Sequence, residues 1–402
     1  MRNPTYQFFS LKEYAQRLDA LRSRMEQKNV DAMIVYTPEN LLYLTGFQTP
    51  GYLVYNCLIV PMDREPVFVT RAGEAANIEP LTWVEDSRPW HDTEDWVEKT
   101  RDTLVDIGLG SKRIGIEFDA QPALIQDYLR LDATMSSATF VDCSGLVEQG
   151  RMIKSPQEIV YMKQGARAAE AAILAAIDTA EVGATENDVA AEMYRAQIRA
   201  GSEYTGFPIF VQAGARAALT HATWYRKRLE PNEVLHMEVP GCVHKYHAAK
   251  WAQIYLGDPP KEMLRAFEAA IEANKAARAF IKPGVTCGDV YEVAKKTAES
   301  FDMGKEPDMR VGYSIGLAFP PDWGEGHIIS LHKGDNRVLQ AGMTFHLTGT
   351  HAISLPGVWP TASGVKRYGG GAGGARCSDT ILVTDNGCET LTNGLERKLY
   401  VK

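Results

Sequence analysis

The chain has 402 residues, enough for two domains with a substantial core, and its 45% apolar and 23% charged residues are an ordinary balance for a globular protein. A formal net charge of −8 argues against a nucleic-acid or anionic-membrane partner, and no apolar run approaches the ~20 residues of a membrane span. The start, MRNPTYQFFSLKEYAQRL, lacks the pattern of a secretory leader, and the six cysteines form no CxxC pair, so a cytoplasmic protein with free thiols is expected.

Residues 11–29 place Leu and Met at helical spacing among charges, which predicts an amphipathic helix. DAMIVYTP, NLLYLTGF, YLVYNCLIVP and PVFVT read as strands, RIGIEF (113–118) and ATFVDCS (138–144) as two more, with helices at 93–107 and 121–131. Strands alternating with helices predict an α/β domain over residues 1–152. A new regime begins near RMIKSPQEI. Ser155, Pro156 and Glu158 supply an N-cap, a proline at the first helical position and a capping-box glutamate for a long Ala-rich helix. A second helix follows at 185–200, then the strand-like stretches FPIFVQAG, EVLHMEVPGCV and AQIYLG. PPKEMLRAFEAAIEANKAARAFIKPG is another long helix and CGDVYEVAKKTAESF a shorter one, and the last hundred residues are mostly strand and loop. Residues 153–402 therefore form the second domain. Ser363–Ala375 is glycine-rich, a flexible loop or a place where backbone approaches a ligand.

Gly312–Glu325, GYSIGLAFPPDWGE, reads as an apolar strand that stops at two adjacent prolines and turns Asp322, Trp323 and Glu325 into a cavity. A carboxylate pair beside an indole suits a small delocalised cation by charge and cation–π contact; a polar turn capped by one aromatic is the plainer alternative.

RMIKSPQEI at the domain join, NLLYLTGF, RIGIE, KPGVTCGDV, and GMTF followed by DTILVTDNGCETLT resemble, in order, the creatinase/prolidase/methionine-aminopeptidase family. The resemblance implies a mixed α/β (α+β) protein: a small N-terminal creatinase-like α/β domain and a C-terminal pita-bread domain whose curved sheet holds the site. Its peptidase members hold two divalent metals with two Asp, one His and two Glu. The corresponding positions here are Glu238, Ala249, Tyr313, Thr348 and Ser378, with Pro320 where a further histidine stands. One carboxylate out of five ligands does not suit a hard dinuclear site, so no metal and no cofactor are expected. PPDWGE, GYSIG and EVPGCVHKYH resemble the metal-free ectoine hydrolase and creatinase branch, although Ala252 stands where that branch tends to have Arg.

The resemblance places His221 at the substrate-site histidine, where a neutral imidazole can take a proton from water and return it to a leaving nitrogen. Glu238, in an apolar strand, either faces a cationic substrate or sits in a buried salt bridge, for instance to Lys250 or Arg376. Tyr313 either donates to a developing oxyanion or packs as a core aromatic. His346 alternates with Phe345 and Leu347 and points away from them, as a site residue or a satisfied sheet histidine. Trp359, with Lys366 and Arg367, would line the entrance or bind a substrate carboxylate; His244, His247 and His351 are taken as structural.

The expectation is a homodimer that binds no nucleic acid, membrane or metal and acts on a small molecule; the resemblance puts the PGYLVYN loop (50–56) at the dimer contact, although its aromatic content fits an internal core equally well. Its leading function is metal-independent hydrolysis of a C–N bond in an ectoine-type cyclic amidine, with His221 as acid/base. Glu238, Asp322 and Glu325 would hold the cation, with Trp323 beside them and Tyr313 or backbone donors at the oxyanion. The alternatives are creatinase-like cleavage of a guanidino compound, a lyase for a sulfonium or betaine-like osmolyte, a non-catalytic peptide-binding module, and, disfavoured by the lost ligands, an Xaa-Pro dipeptidase.

Overall fold

The computed structural model describes residues 1–120, 122–219, 221–301, 309–351 and 375–402. These form two compact units, Met1–Arg151 and Met152–Lys402. The fold is mixed α/β, a creatinase-like first unit followed by a pita-bread second unit.

The first unit is built on a six-stranded sheet in the order β4-β3-β2-β1-β5-β6, from Asp86–Trp90, Val67–Arg71, Cys57–Pro61, Ala32–Val35, Arg113–Ile116 and Thr139–Asp142. Its central strands are buried along their whole length, as their apolar runs demand. NLLYLTGF, expected as a strand, forms the helix Pro38–Thr45 instead. Proline at its start is pre-set for a helix, and Gly46 closes it in the left-handed conformation at φ 90°. These end signals outweigh the β-like composition between them.

In the second unit two helix pairs back two sheets. Helix Pro156–Thr179 carries the expected capping box between Ser155 and Glu158 and packs with helix Glu186–Arg199. Behind this pair lies a four-stranded sheet, β15-β9-β8-β7, from Leu399–Val401, Tyr246–Leu256, Glu233–Val243 and Phe210–Ala213. Helices Lys261–Phe280 and Cys287–Glu299 back a five-stranded sheet, β11-β10-β12-β13-β14, from Ser330–Leu331, Gly312–Ser314, Thr344–His351, Ala375–Thr384 and Gly387–Thr390. Glycine lets each long helix approach its sheet closely. A Cβ at Gly241 would stand 1.9 Å from the carbonyl of Gly165, and one at Gly349 would stand 2.4 Å from that of Ala270. Side chains of β13 join the sheets: Ser378 Oγ accepts the Trp251 N–H at 2.8 Å, and Thr380 Oγ1 bonds both the N–H and the carbonyl of Ala249. Among the described residues no helix is long and apolar enough to cross a membrane.

Candidate functional site

The seam between the sheets is lined by alternate residues of six strands, because successive side chains of a strand point to opposite faces. On β7, β8 and β9 the register sets Phe210, Glu238 and Trp251 in one row and Gln212, His236 and Gln253 in the next. On β10, β12 and β13 it sets Tyr313, His346 and Thr380 in one row, with Thr348 and Ser378 paired beside it. Phe345 and Leu347 lie in the core on the opposite face.

The second set is closed upon itself. His346 Nδ1 meets the Tyr313 hydroxyl at 2.8 Å and Nε2 meets Ser378 Oγ at 2.6 Å. The Trp323 indole N–H donates to the same Tyr313 oxygen at 2.9 Å. Burial, with the charges of Arg310 and Lys250, holds the His346 imidazole down at about 3, so it is neutral, one nitrogen donating and the other accepting. Burial and the nearby charge of Glu238 push the Tyr313 phenol up.

The first set is open. Glu238 is 8% exposed and has no ion pair within salt-bridge distance among the described residues; the Trp251 indole N–H is near enough to favour its charge but lies outside good hydrogen-bond geometry. Lys250, one partner considered for it, bonds Asp379 at 2.7 Å instead. Arg376 acts on Glu238 only through its charge. Burial therefore pushes the Glu238 carboxyl up to about 7, opposed by the Trp251 indole N–H and Arg376 and reinforced by Asp322. Gln212 Oε1, both ring nitrogens of His236 and Trp251 Nε1 are enclosed without a hydrogen-bond partner. Each such group costs about 1–3 kcal/mol when left unsatisfied. Burial and Arg376 hold the His236 imidazole well below its usual range, hence neutral.

His221 follows the short helical turn Gly214–Ala218 and has a left-handed backbone at φ 54°. Its ring stacks on Phe210 at 5.5 Å and contacts Phe207 at 5.3 Å. Those two rings also pack on Trp323, at 5.6 and 5.0 Å. One aromatic wall thus joins His221, Trp323 and, through the Phe210 register pair, Glu238. The Leu219 carbonyl, two residues before His221, accepts from Gln212 at 3.0 Å and from Arg376 at 3.4 Å, which pins the loop to the open face.

The expected acidic pair is split. Asp322 is exposed, its charge acts on Glu238, and its Oδ1 accepts the backbone N–H groups of Trp323 and Gly324 at 2.7 and 2.8 Å. Glu325 is not brought to the site. Its oxygen bonds Lys154 Nζ at 2.5 Å and Ser314 Oγ at 3.3 Å, on the side of β10 opposite to Tyr313. A carboxylate with no exposure needs a cation, and Lys154 supplies it. His247 is structural: Nδ1 donates to the Lys245 carbonyl and Nε2 accepts the Gly206 N–H, both at 2.9 Å. Trp359, Lys366 and Arg367 lie outside the described residues. His236, Gln212 and Trp251 were not singled out in the sequence, and Arg376 only as a possible partner of Glu238. The alternation H-x-E in LHMEV was the available signal for His236, since it puts that ring on the face of Glu238.

A dinuclear metal does not fit this donor set. Of the positions a metallopeptidase would use, Glu238 is a carboxylate, Ala249 offers a methyl group, and the oxygens of Tyr313 and Ser378 are already engaged with His346. No group of three or more His, Cys, Asp or Glu side chains among the described residues is placed to hold an ion.

Residues 160–385 match metallopeptidase family M24, and residues 17–153 match the creatinase/prolidase N-terminal domain. The chain is 29% identical to an ectoine hydrolase of Halomonas elongata, the alignment covering 98% of each. It is 30% identical to the uncharacterized hydrolase/peptidase y4tM of Sinorhizobium fredii, again over 98% of each. The fold is similar to that of an Xaa-Pro dipeptidase from Bacillus anthracis, with a TM-score of 0.81 over 97% of this chain and 100% of that one, at 21% identity. At that identity the likeness speaks to fold alone.

Proposed function

The chain belongs to metallopeptidase family M24 and is a hydrolase, and from that premise we propose that it cleaves a C–N bond of a small zwitterionic compound of the ectoine, cyclic-amidine type without a divalent metal. One observation carries the proposal: Glu238 is a carboxyl that burial pushes up to about 7, with no ion-pair partner at salt-bridge distance among the described residues. A delocalised cation bound against it supplies the missing charge, draws Glu238 into its ionised form, and is held for reaction. The 29% identity to an ectoine hydrolase over nearly the whole chain supports the choice of cation.

In the proposed reaction His221, stacked on the aromatic wall, takes a proton from water as the water oxygen bonds to the amidine carbon. Tyr313 keeps its own O–H to give when His346 donates through Nδ1, and aids the oxygen where negative charge develops. His221 returns its proton to the leaving nitrogen, the carbon–nitrogen bond breaks, and as the C=O forms the adduct's hydroxyl proton passes to the departing amine, which leaves as an ammonium. Asp322 adds negative charge near Glu238. We also propose that the protein is a cytoplasmic homodimer, checked by light scattering as twice the chain mass.

The purified full chain, with and without a chelator, is assayed on ectoine, creatine and an Xaa-Pro dipeptide. Consumption of ectoine, unaffected by the chelator and reduced at least a hundredfold in His221→Ala, is expected. Chelator-sensitive cleavage of the dipeptide overturns the proposal in favour of the peptidase chemistry that the fold relatives share. Turnover of creatine alone points to guanidino hydrolysis. Absence of turnover on all three leaves a lyase or a binding module.

A further inference from the structure

Beside Glu238 lies a second cluster that cation binding does not use. His236 is fully buried and Gln212 is 1% exposed; they face each other across β7 and β8. Gln212 Nε2 is committed to the Leu219 carbonyl, which leaves Oε1 as an acceptor without a partner. Both His236 nitrogens and Trp251 Nε1 are likewise enclosed and unpartnered. The Trp251 ring stands edge-on to His236, with centroids 5.9 Å apart, and belongs to the Glu238 row. The polar atoms therefore form one continuous patch that starts at Glu238 and runs beneath the loop carrying His221.

The donor and acceptor count narrows what such a patch takes. A neutral imidazole presents one N–H and one lone pair; the indole adds a donor and Gln212 adds an acceptor. Two donors and two acceptors without a formal charge complement a group that itself both gives and takes hydrogen bonds. A carboxylate only accepts, and would set its oxygens against Gln212 Oε1 and the imidazole lone pair. An ammonium only donates, and would meet the Trp251 N–H. An amide, with its C=O and N–H, satisfies both kinds of atom.

We infer that His236, Gln212 and Trp251 form a neutral subsite that binds an amide group of the ligand, next to the cation-binding carboxylate Glu238. The assignment rests on the function proposed above, and deepens it. Adding water to an amidinium carbon and breaking one C–N bond leaves an amide and an ammonium, so this subsite is the place where the new amide is held as the positive charge passes from the amidine to the leaving nitrogen.

The test uses the full chain with 15N-labelled tryptophan indoles, the Trp251 signal being identified by its loss in Trp251→Phe. Acetamide, acetate and methylguanidinium are titrated in turn. Acetamide is expected to move the Trp251 indole signal in the wild type, to leave it in place in His236→Leu, and to move it again in His236→Asn, which restores one donor and one acceptor. The Trp323 indole of the same unit, bonded to the Tyr313 hydroxyl, reports in the ligand-free samples whether each variant is folded. If His236→Leu does not fold, the wild type decides alone: a response to acetamide stronger than that to acetate supports the subsite. An equal or stronger response to acetate, or an acetamide response unchanged in folded His236→Leu, overturns it. Ectoine turnover on the same samples separates the two proposals. An acetamide response without turnover sinks the amidine reaction and keeps the subsite; turnover without an acetamide response sinks the subsite.

Discussion

The two halves of the seam contrast sharply. On β10, β12 and β13, Tyr313, His346 and Ser378 form an unbroken chain with the Trp323 and Trp251 donors, and Glu325 behind them is neutralised by Lys154. On β7, β8 and β9, His236, Gln212 and the Trp251 indole present polar atoms without a hydrogen-bond partner in the described protein, beside a Glu238 carboxyl without an ion pair. Both faces carry largely buried polar side chains, and they differ in pairing. A closed network fixes geometry, whereas an open one holds interaction capacity in reserve for a ligand.

Breaking the closed side costs folding. Lys154→Met leaves Glu325 uncompensated with no exposure and is expected to lower stability by about 3–5 kcal/mol, seen as a large drop in denaturation midpoint. A stable Lys154→Met variant would break the comparison. On the open side the balance reverses. Glu238→Gln removes a carboxyl without a partner, so ectoine kcat/KM falls by about a hundredfold while thermal stability at neutral pH holds or rises. Tyr313→Phe sits at the junction. It orphans the Trp323 N–H and one hydroxyl contact of His346, which costs about 1–3 kcal/mol, and it lowers kcat by about tenfold. The smallest effect is on the pH dependence of stability. The folded Glu238 carboxyl titrates at about 7 against an ordinary value of 4.5. The folded state thus binds this proton more tightly than the unfolded chain. The contribution is fully present below pH 4.5 and is lost as pH rises through 7, by roughly 1–3 kcal/mol. Glu117 in the first unit follows the same sign, since burial and Glu148 push it up to about 7. Denaturant midpoints from pH 4 to 8 are therefore expected to fall less steeply in Glu238→Gln than in the wild type.

Local signals made the fold readable. The capping box at Ser155 and Glu158, the helix ends and the alternation of β8 need only near neighbours in the chain. Helix Pro38–Thr45 was missed because its interior is as apolar as a strand, and only Pro38 and Gly46 mark its ends. The site was half readable. Alternation predicts that His346 turns away from Phe345 and Leu347, and that same rule, applied to LHMEV, finds His236. Pairing was the part hidden from the sequence. Glu325 and Glu238 look alike as isolated letters. What divides them is Lys154, 171 residues away from Glu325 in the chain and in contact with it, whereas the cation nearest in effect to Glu238, Arg376, acts on it through its charge without an ion pair among the described residues.

The central claim is that Glu238 waits for a cation, and its own titration tests that most directly. The Glu238 carboxyl 13C signal, identified by its loss in Glu238→Gln, is followed against pH in the free protein and with saturating ectoine. The account predicts titration near 7 in the free protein and a fall of at least one unit when ectoine binds. A carboxyl that titrates near 4.5 in both states, unmoved by ectoine, would contradict it.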